Sequence, residues 1–142
     1  MSESTSTPAP MTPRTLVAPA ASGDAEAQSE LARWALGLGE QGVISQLESL
    51  AMAEAYSRLA AAKGNPTELC LLAGILFYRA QYAGNLGDMA TAHDYMVEGV
   101  YQANRAGDAG SEEATTLLLS VVDGLPAEVV AHAAQFHPEE ER

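Results

Sequence analysis

From residue 24 onward, apolar side chains recur at helical spacing. Between Asp24 and about Leu38, residues Ala27, Leu31, Trp34, Ala35 and Leu38 fall on one stripe, the pattern of a helix that buries a single face. A turn at Gly39-Glu40-Gln41-Gly42 follows. A second helix is predicted from about Val43 to Lys63, with Ile44, Leu47, Ala51 and Ala55 on its inward face. Pro66 opens the next helix in its first turn, where the missing N–H costs nothing. Residues Leu69 to Phe77 are apolar almost all round, a length that also suits a buried strand. The pattern continues through Arg79, Ala80, Tyr82 and Ala83 without β-branched enrichment, which favours a central helix buried on most sides. Gly84-Asn85-Leu86-Gly87-Asp88 turns the chain, and Asp88 caps a helix to about Arg105. A weaker pair follows, Ser111 to Val122 and Ala127 to Gln135, with Pro126 at the second start.

The breaks between these helices repeat. Ala20-Ala21-Ser22-Gly23-Asp24, Ala61-Ala62-Lys63-Gly64-Asn65 and Asn104-Arg105-Ala106-Gly107-Asp108 place their glycines 41 and then 43 residues apart. Each combines a helix stop with a helix start: glycine takes the left-handed conformation past a helix end, and Asp or Asn caps the N–H groups that follow. Stacked helical hairpins of about forty residues make an α-solenoid. The expected fold is therefore all-α, a short solenoid of about three hairpins with a degenerate C-terminal one.

Gly23-Asp24-Ala25-Glu26-Ala27 through Leu31-Ala32 resembles the opening of the Sel-one-like subfamily of tetratricopeptide repeats. Ala53, Tyr56, the pair Ala60-Ala61 and Gly64-Asn65 resemble its closing pattern, and Gly42-Val43 is loosely similar to its turn. Ala32, Ala35, Ala73 and Gly99 depart from it, and the third unit opens out of register at Gly110-Ser111-Glu112. The likeness spans roughly residues 20–108. It implies a helical-repeat scaffold that binds another protein, and a fold of this kind specifies no activity.

Composition narrows the function further. Of 142 residues 47% are hydrophobic but only 6% aromatic, so alanine and leucine must fill the core, as suits closely packed helices. The net charge is −12, and only five basic residues lie between 23 and 137. Nucleic-acid and anionic-membrane binding, which need clustered Lys and Arg, are disfavoured; a basic protein partner is compatible. Residues 1–22, rich in Ser, Thr, Pro and Ala, are expected to be a disordered tail without signal-peptide character. The repeat domain then spans 23–137, and 138–142 form an acidic tail. A lone cysteine, Cys70, within an apolar run is expected to act as a small core hydrophobe, and the absence of disulfides fits the cytoplasm.

No catalytic, cofactor or metal constellation is legible. His93, His132 and His137 show no ligand spacing and are expected to face solvent. The candidates that remain are large side chains on the first helices of each hairpin. Arg33 lies away from the apolar stripe, and Tyr78, Arg79 and Tyr82 cluster across one helical turn. Tyr and Arg are good anchors for a partner, although Tyr78 and Tyr82 at i,i+4 equally suit packing between hairpins. These residues point to a non-enzymatic adaptor that holds a peptide or helix. A bacterial secretion chaperone of the small acidic type and a self-assembling structural component, hence a homo-oligomer, are the alternatives.

Overall fold

A computed structural model describes residues 13–136, without the side chains of Pro13 and Arg14. Among these residues the chain forms seven α-helices and no strand. They are α1 (Pro13–Ala21), α2 (Ala25–Glu40), α3 (Gln46–Ala61), α4 (Pro66–Asn85), α5 (Met89–Asp108), α6 (Glu112–Val121) and α7 (Ala127–Ala134), with a 3-10 turn, Val122–Gly124, before α7. None of them is long and apolar enough to cross a membrane.

The corners share one device. Gly23, Gly42, Gly64, Gly87 and Gly110 all have positive φ. At four of them the next residue's N–H reaches back five residues to a helix carbonyl: Asp24 to Pro19, Val43 to Leu38, Asp88 to Ala83 and Ser111 to Ala106. This is the closure that satisfies the last carbonyls of a helix. Asp24, Asp88 and Ser111 then turn their side chains forward. Asp24 accepts from the Glu26 and Ala27 N–H groups, Asp88 from Thr91, and Ser111 from Ala114. One residue thus ends a helix with its backbone and begins the next with its side chain. At the start of α3 a separate Ser45–Glu48 capping box does the second task.

Two expected junctions are corrected. Gly107 and Asp108 lie inside the last turn of α5, and the corner is Gly110-Ser111. Asn65 stands at the N-cap of α4 but makes no side-chain cap bond; Pro66 already removes one of the N–H groups a cap would serve.

The disorder expected across residues 1–22 is corrected over its second half. Pro13–Ala21 is a helix whose Leu16 is buried against Ala27 and Leu31, beside Trp34. The buried Gln28 secures it by donating Nε2–H to the Ala20 carbonyl at 2.9 Å. Composition alone misses this because a single leucine, correctly placed, suffices to dock a two-turn helix. Residues 1–12 and 137–142, including His137, lie outside the described residues.

Each helix from α2 to α6 packs on the one before it, and α4 pairs most extensively, with α5. Of the expected α2 stripe Ala27, Leu31 and Ala35 are buried and Trp34 and Leu38 partly buried, but α3 is rotated. Its buried residues are Ser49, Leu50, Ala53, Ser57 and Ala60, whereas Leu47, Ala51 and Ala55 are exposed. Serine makes this face tolerable: Ser49 donates to the Ala35 carbonyl at 2.8 Å and Ser57 to the Glu54 carbonyl at 3.1 Å, so neither hydroxyl is buried unsatisfied. Small side chains let α2 and α3 approach closely, with Ala32, Ala35 and Ala53 fully enclosed. The helix expected to close the third hairpin does otherwise. Helix α7 lies on α5, not on α6, through Val129 and Ala133 against Val97 and Val100.

Candidate functional site

Helix α4 runs through the centre of the molecule and divides three of the four expected contact residues, Tyr78, Arg79 and Tyr82, between two faces. On one face Tyr78 is 56% exposed. It stands between two depressions. The smaller, about 190 Å³, has Leu36, Gly39 and Glu40 of α2 on its far side. The larger, about 500 Å³, is walled by Gly74, Phe77 and Gln81 of α4, Met96 of α5, Leu117 and Val121 of α6, and Leu125. Its lining carries no charged side chain, so it favours apolar groups.

Gly74 forms part of that groove's floor. A methyl group added there would meet nothing within 4 Å, and the same is true at Gly37 of α2. A glycine inside a helix costs about 1 kcal/mol relative to alanine. The helical glycines Gly39 and Gly99 have a packing reason: a Cβ would strike Ser49 at the first and the Phe77 ring, at 2.7 Å, at the second. Gly74 has no such reason within the fold.

On the other face Arg79 is turned inward and only 15% exposed. Its Nε stands 3.0 Å from Glu54 Oε1, its Nη2 donates to the Tyr95 hydroxyl at 2.6 Å, and its guanidinium lies 5.0 Å from the Tyr95 ring centroid. Nη1 is buried without a hydrogen-bond partner. Glu54 also pairs with Arg58 at 2.8 Å, and Arg58 makes a two-pronged contact with Glu98 of α5. Arg58 is held charged, its pKa raised chiefly by the hydrogen bonds to Glu98. This network ties α3, α4 and α5 together. Tyr82 joins Arg79 in lining a depression of about 160 Å³ with Leu47, Leu86 and Tyr95. Arg33 stands apart from both places, exposed and paired with Glu30 at 2.7 Å.

The expected cluster is thus separated: Arg79 and Tyr82 lie together, Tyr78 faces the groove, and Arg33 is elsewhere. The apolar groove itself was missed. Its one legible sign is a glycine in the middle of the apolar run Leu69–Phe77. A second omission is His93 with His132, expected to face solvent separately. Their Nε2 and Nδ1 atoms are 2.9 Å apart, in a cavity with Asp94 and Gln135. Thirty-nine residues separate them, and no spacing rule reaches that far.

Among the described residues no group of three or more His, Cys, Asp or Glu is placed to hold a metal ion. Cys70 packs half-buried against Leu69 and Leu72, and burial pushes its thiol up, which disfavours the thiolate. No protein-family model, curated protein or solved structure matches the chain.

Proposed function

We propose that this chain is a non-enzymatic protein-interaction adaptor of the helical-repeat kind, similar to the Sel-one-like tetratricopeptide proteins. It holds an amphipathic helix or peptide of a partner in the groove along α2, α4 and α6, the concave side of a short solenoid. The observation that carries this reading is the apolar depression of about 500 Å³ beside exposed Tyr78, floored by a glycine the fold does not need. Large aromatic side chains at the edge of an apolar recess are typical anchors, and an open glycine lets a partner approach the backbone. The net charge of −12 and Glu40 beside the smaller depression favour a partner with basic residues flanking its apolar face. A single half-buried cysteine suits a reducing cytoplasm.

The test is capture through a photo-crosslinking residue placed at Gln81, compared with one at Ala55 on the opposite side of the fold. Crosslinks from Gln81 that vanish in Gly74→Trp and in Tyr78→Ala support the groove. Equal crosslinking from both positions, or none lost in either variant, would count against it.

A second reading, self-association, has an observation of its own. Leu47, Ala51, Ala55 and Leu59 form an exposed ridge on α3, with the two leucines 52% and 57% accessible. Turned end for end about Ala53, this ridge matches itself, leucine opposite leucine and alanine opposite alanine. Such i,i+4 ridges interlock in the commonest helix crossing. Light scattering decides it: a dimer dispersed by Ala51→Glu supports the reading, and a concentration-independent monomer removes it.

A further inference from the structure

Helix α7 is eight residues long and lies chiefly on α5, with Leu118 of α6 and Phe77 of α4 packed against the same cluster. Short appended elements with few buried contacts are the first to open. Val129 and Ala133 supply its apolar grip, with Phe136 just beyond the helix. The polar contact beside this grip is His93 on α5 with His132 on α7. His93 Nε2 and His132 Nδ1 are 2.9 Å apart, and the rings stand nearly perpendicular at 80°. The pair opens into a cavity of about 560 Å³ that Asp94 and Gln135 also line.

We propose that His93 and His132 form a two-histidine site for a borderline divalent transition metal, Zn²⁺, Ni²⁺ or Cu²⁺, which clips α7 onto α5. Two imidazole nitrogens on separate elements already stand within hydrogen-bond distance of each other. The bridging N–H moves to the far nitrogen of its own ring, so that both imidazoles stay neutral and each offers the ion a lone pair. Tetrahedral zinc with bonds of about 2.0–2.1 Å sets ligand nitrogens about 3.3 Å apart. The rings need to separate by only a few tenths of an ångström, and the exposed His132 has room to turn.

Imidazole suits these ions and not Mg²⁺ or Ca²⁺, which take oxygen ligands. The open cavity, which Asp94 also lines, admits water to the remaining positions. Glu98, on the same wall, is taken by Arg58. A two-ligand site binds far more weakly than a closed structural zinc site. Its consequence is local: metal binding and docking of α7 are linked, because the undocked helix offers only one ligand. The link extends to the groove, since Phe77, Met96 and Leu125 belong both to the cluster under α7 and to the groove wall.

The experiment is titration of the tag-free full chain with Zn²⁺ alone, by calorimetry and thermal unfolding. The expected result is one ion bound per chain with Kd below about 100 µM. At 1 mM free Zn²⁺ the expected rise in Tm is about 3 °C or more. His93→Gln and His132→Gln each weaken binding at least about tenfold and remove the Tm rise, while His137→Gln and Cys70→Ser leave both unchanged. Circular dichroism confirms that each variant folds. Weaker binding to the unaltered chain, retention of the response in either His93 or His132 variant, or its loss in the His137 or Cys70 variant overturns the proposal.

Discussion

Arg58 of α3 grips Glu98 of α5 through two parallel hydrogen bonds, Nη1 to Oε2 at 2.6 Å and Nη2 to Oε1 at 2.7 Å. Both residues come from the second helices of successive hairpins, so the bond spans a joint between hairpins. Arg58 is 41% exposed and Glu98 only 14%. Solvent screening at the arginine limits the energy, and two-pronged geometry raises it above an ordinary surface pair. A double-mutant cycle with Arg58→Met and Glu98→Gln is expected to give a coupling of about 1 kcal/mol, smaller in 1 M salt. Coupling near zero would mean that the joint is held by apolar packing alone.

Gly74→Ala and Gly99→Ala should shift stability in opposite directions. At Gly74 the new methyl has open space, and loss of the helical glycine gains about 0.5–1 kcal/mol. At Gly99 the methyl would lie 2.7 Å from Phe77, and such overpacking costs about 1–3 kcal/mol. Denaturant midpoints for the two variants check this directly. A destabilised Gly74→Ala would reveal a packing role for that glycine and weaken the case for the groove.

Leu16→Ala is expected to loosen α1 without unfolding the rest. Leu16 packs with Ala27 and Leu31 beside Trp34, the chain's only tryptophan. Removing the leucine side chain costs about 2 kcal/mol where the site cannot collapse, comparable to what holds a two-turn helix in place. Trp34 emission should shift to longer wavelength under native conditions, while circular dichroism falls only slightly. Unchanged emission would show that α1 does not cover Trp34 in solution.

Acid should fray two helix starts before the core gives way. The Ser45 N–H donates to the Glu48 carboxylate at 3.1 Å and lowers its pKa, with the Ser45 side chain adding to the effect. The Thr91 hydroxyl, at 2.7 Å, and its N–H do the same for Asp88. A carboxylate depressed in the folded state adds stability above the ordinary range near about 4. That contribution disappears as pH falls through the lowered native value. Amide exchange at Ser45 and Thr91 should therefore quicken below about pH 4. Asp88→Asn, which still caps, should remove the step at Thr91 and leave the one at Ser45. Exchange at Thr91 that keeps the same acid step in Asp88→Asn would refute the assignment.

The helices and most of their stripes are legible in the sequence because leucine and alanine mark the buried face of α2 and the apolar girth of α4. Helix α3 is not, and the reason is chemical. It buries Ser49 and Ser57 and exposes Leu47 and Leu59, so counting apolar residues selects the wrong face. A buried serine that bonds a nearby carbonyl behaves like a slightly larger alanine. Corners stand at Gly23 and Gly64, where the spacing places them, but the one expected at Gly107 lies three residues later at Gly110. Gly-Asp and Gly-Ser serve equally as corners, so only helix length distinguishes them. Residue type alone singles out Tyr78, and its exposure follows from its place at the edge of the groove. Arg79 was chosen for the same reason, yet Glu54 and Tyr95, from helices before and after it, draw it inward. Its inward turn depends on residues 25 positions before it and 16 after it, beyond the reach of helical periodicity.

The five glycine corners have one more consequence, and it concerns handedness. At Gly87, with φ of +83°, and Gly23, with φ of +97°, the backbone occupies the region native to mirror-image residues. L-alanine there costs about 1–2 kcal/mol. D-alanine, introduced by chemical synthesis, prefers that region and also narrows the unfolded ensemble that glycine leaves wide, a gain of about 0.5 kcal/mol. A chain of one chirality makes five of its turns here by setting an achiral residue at each.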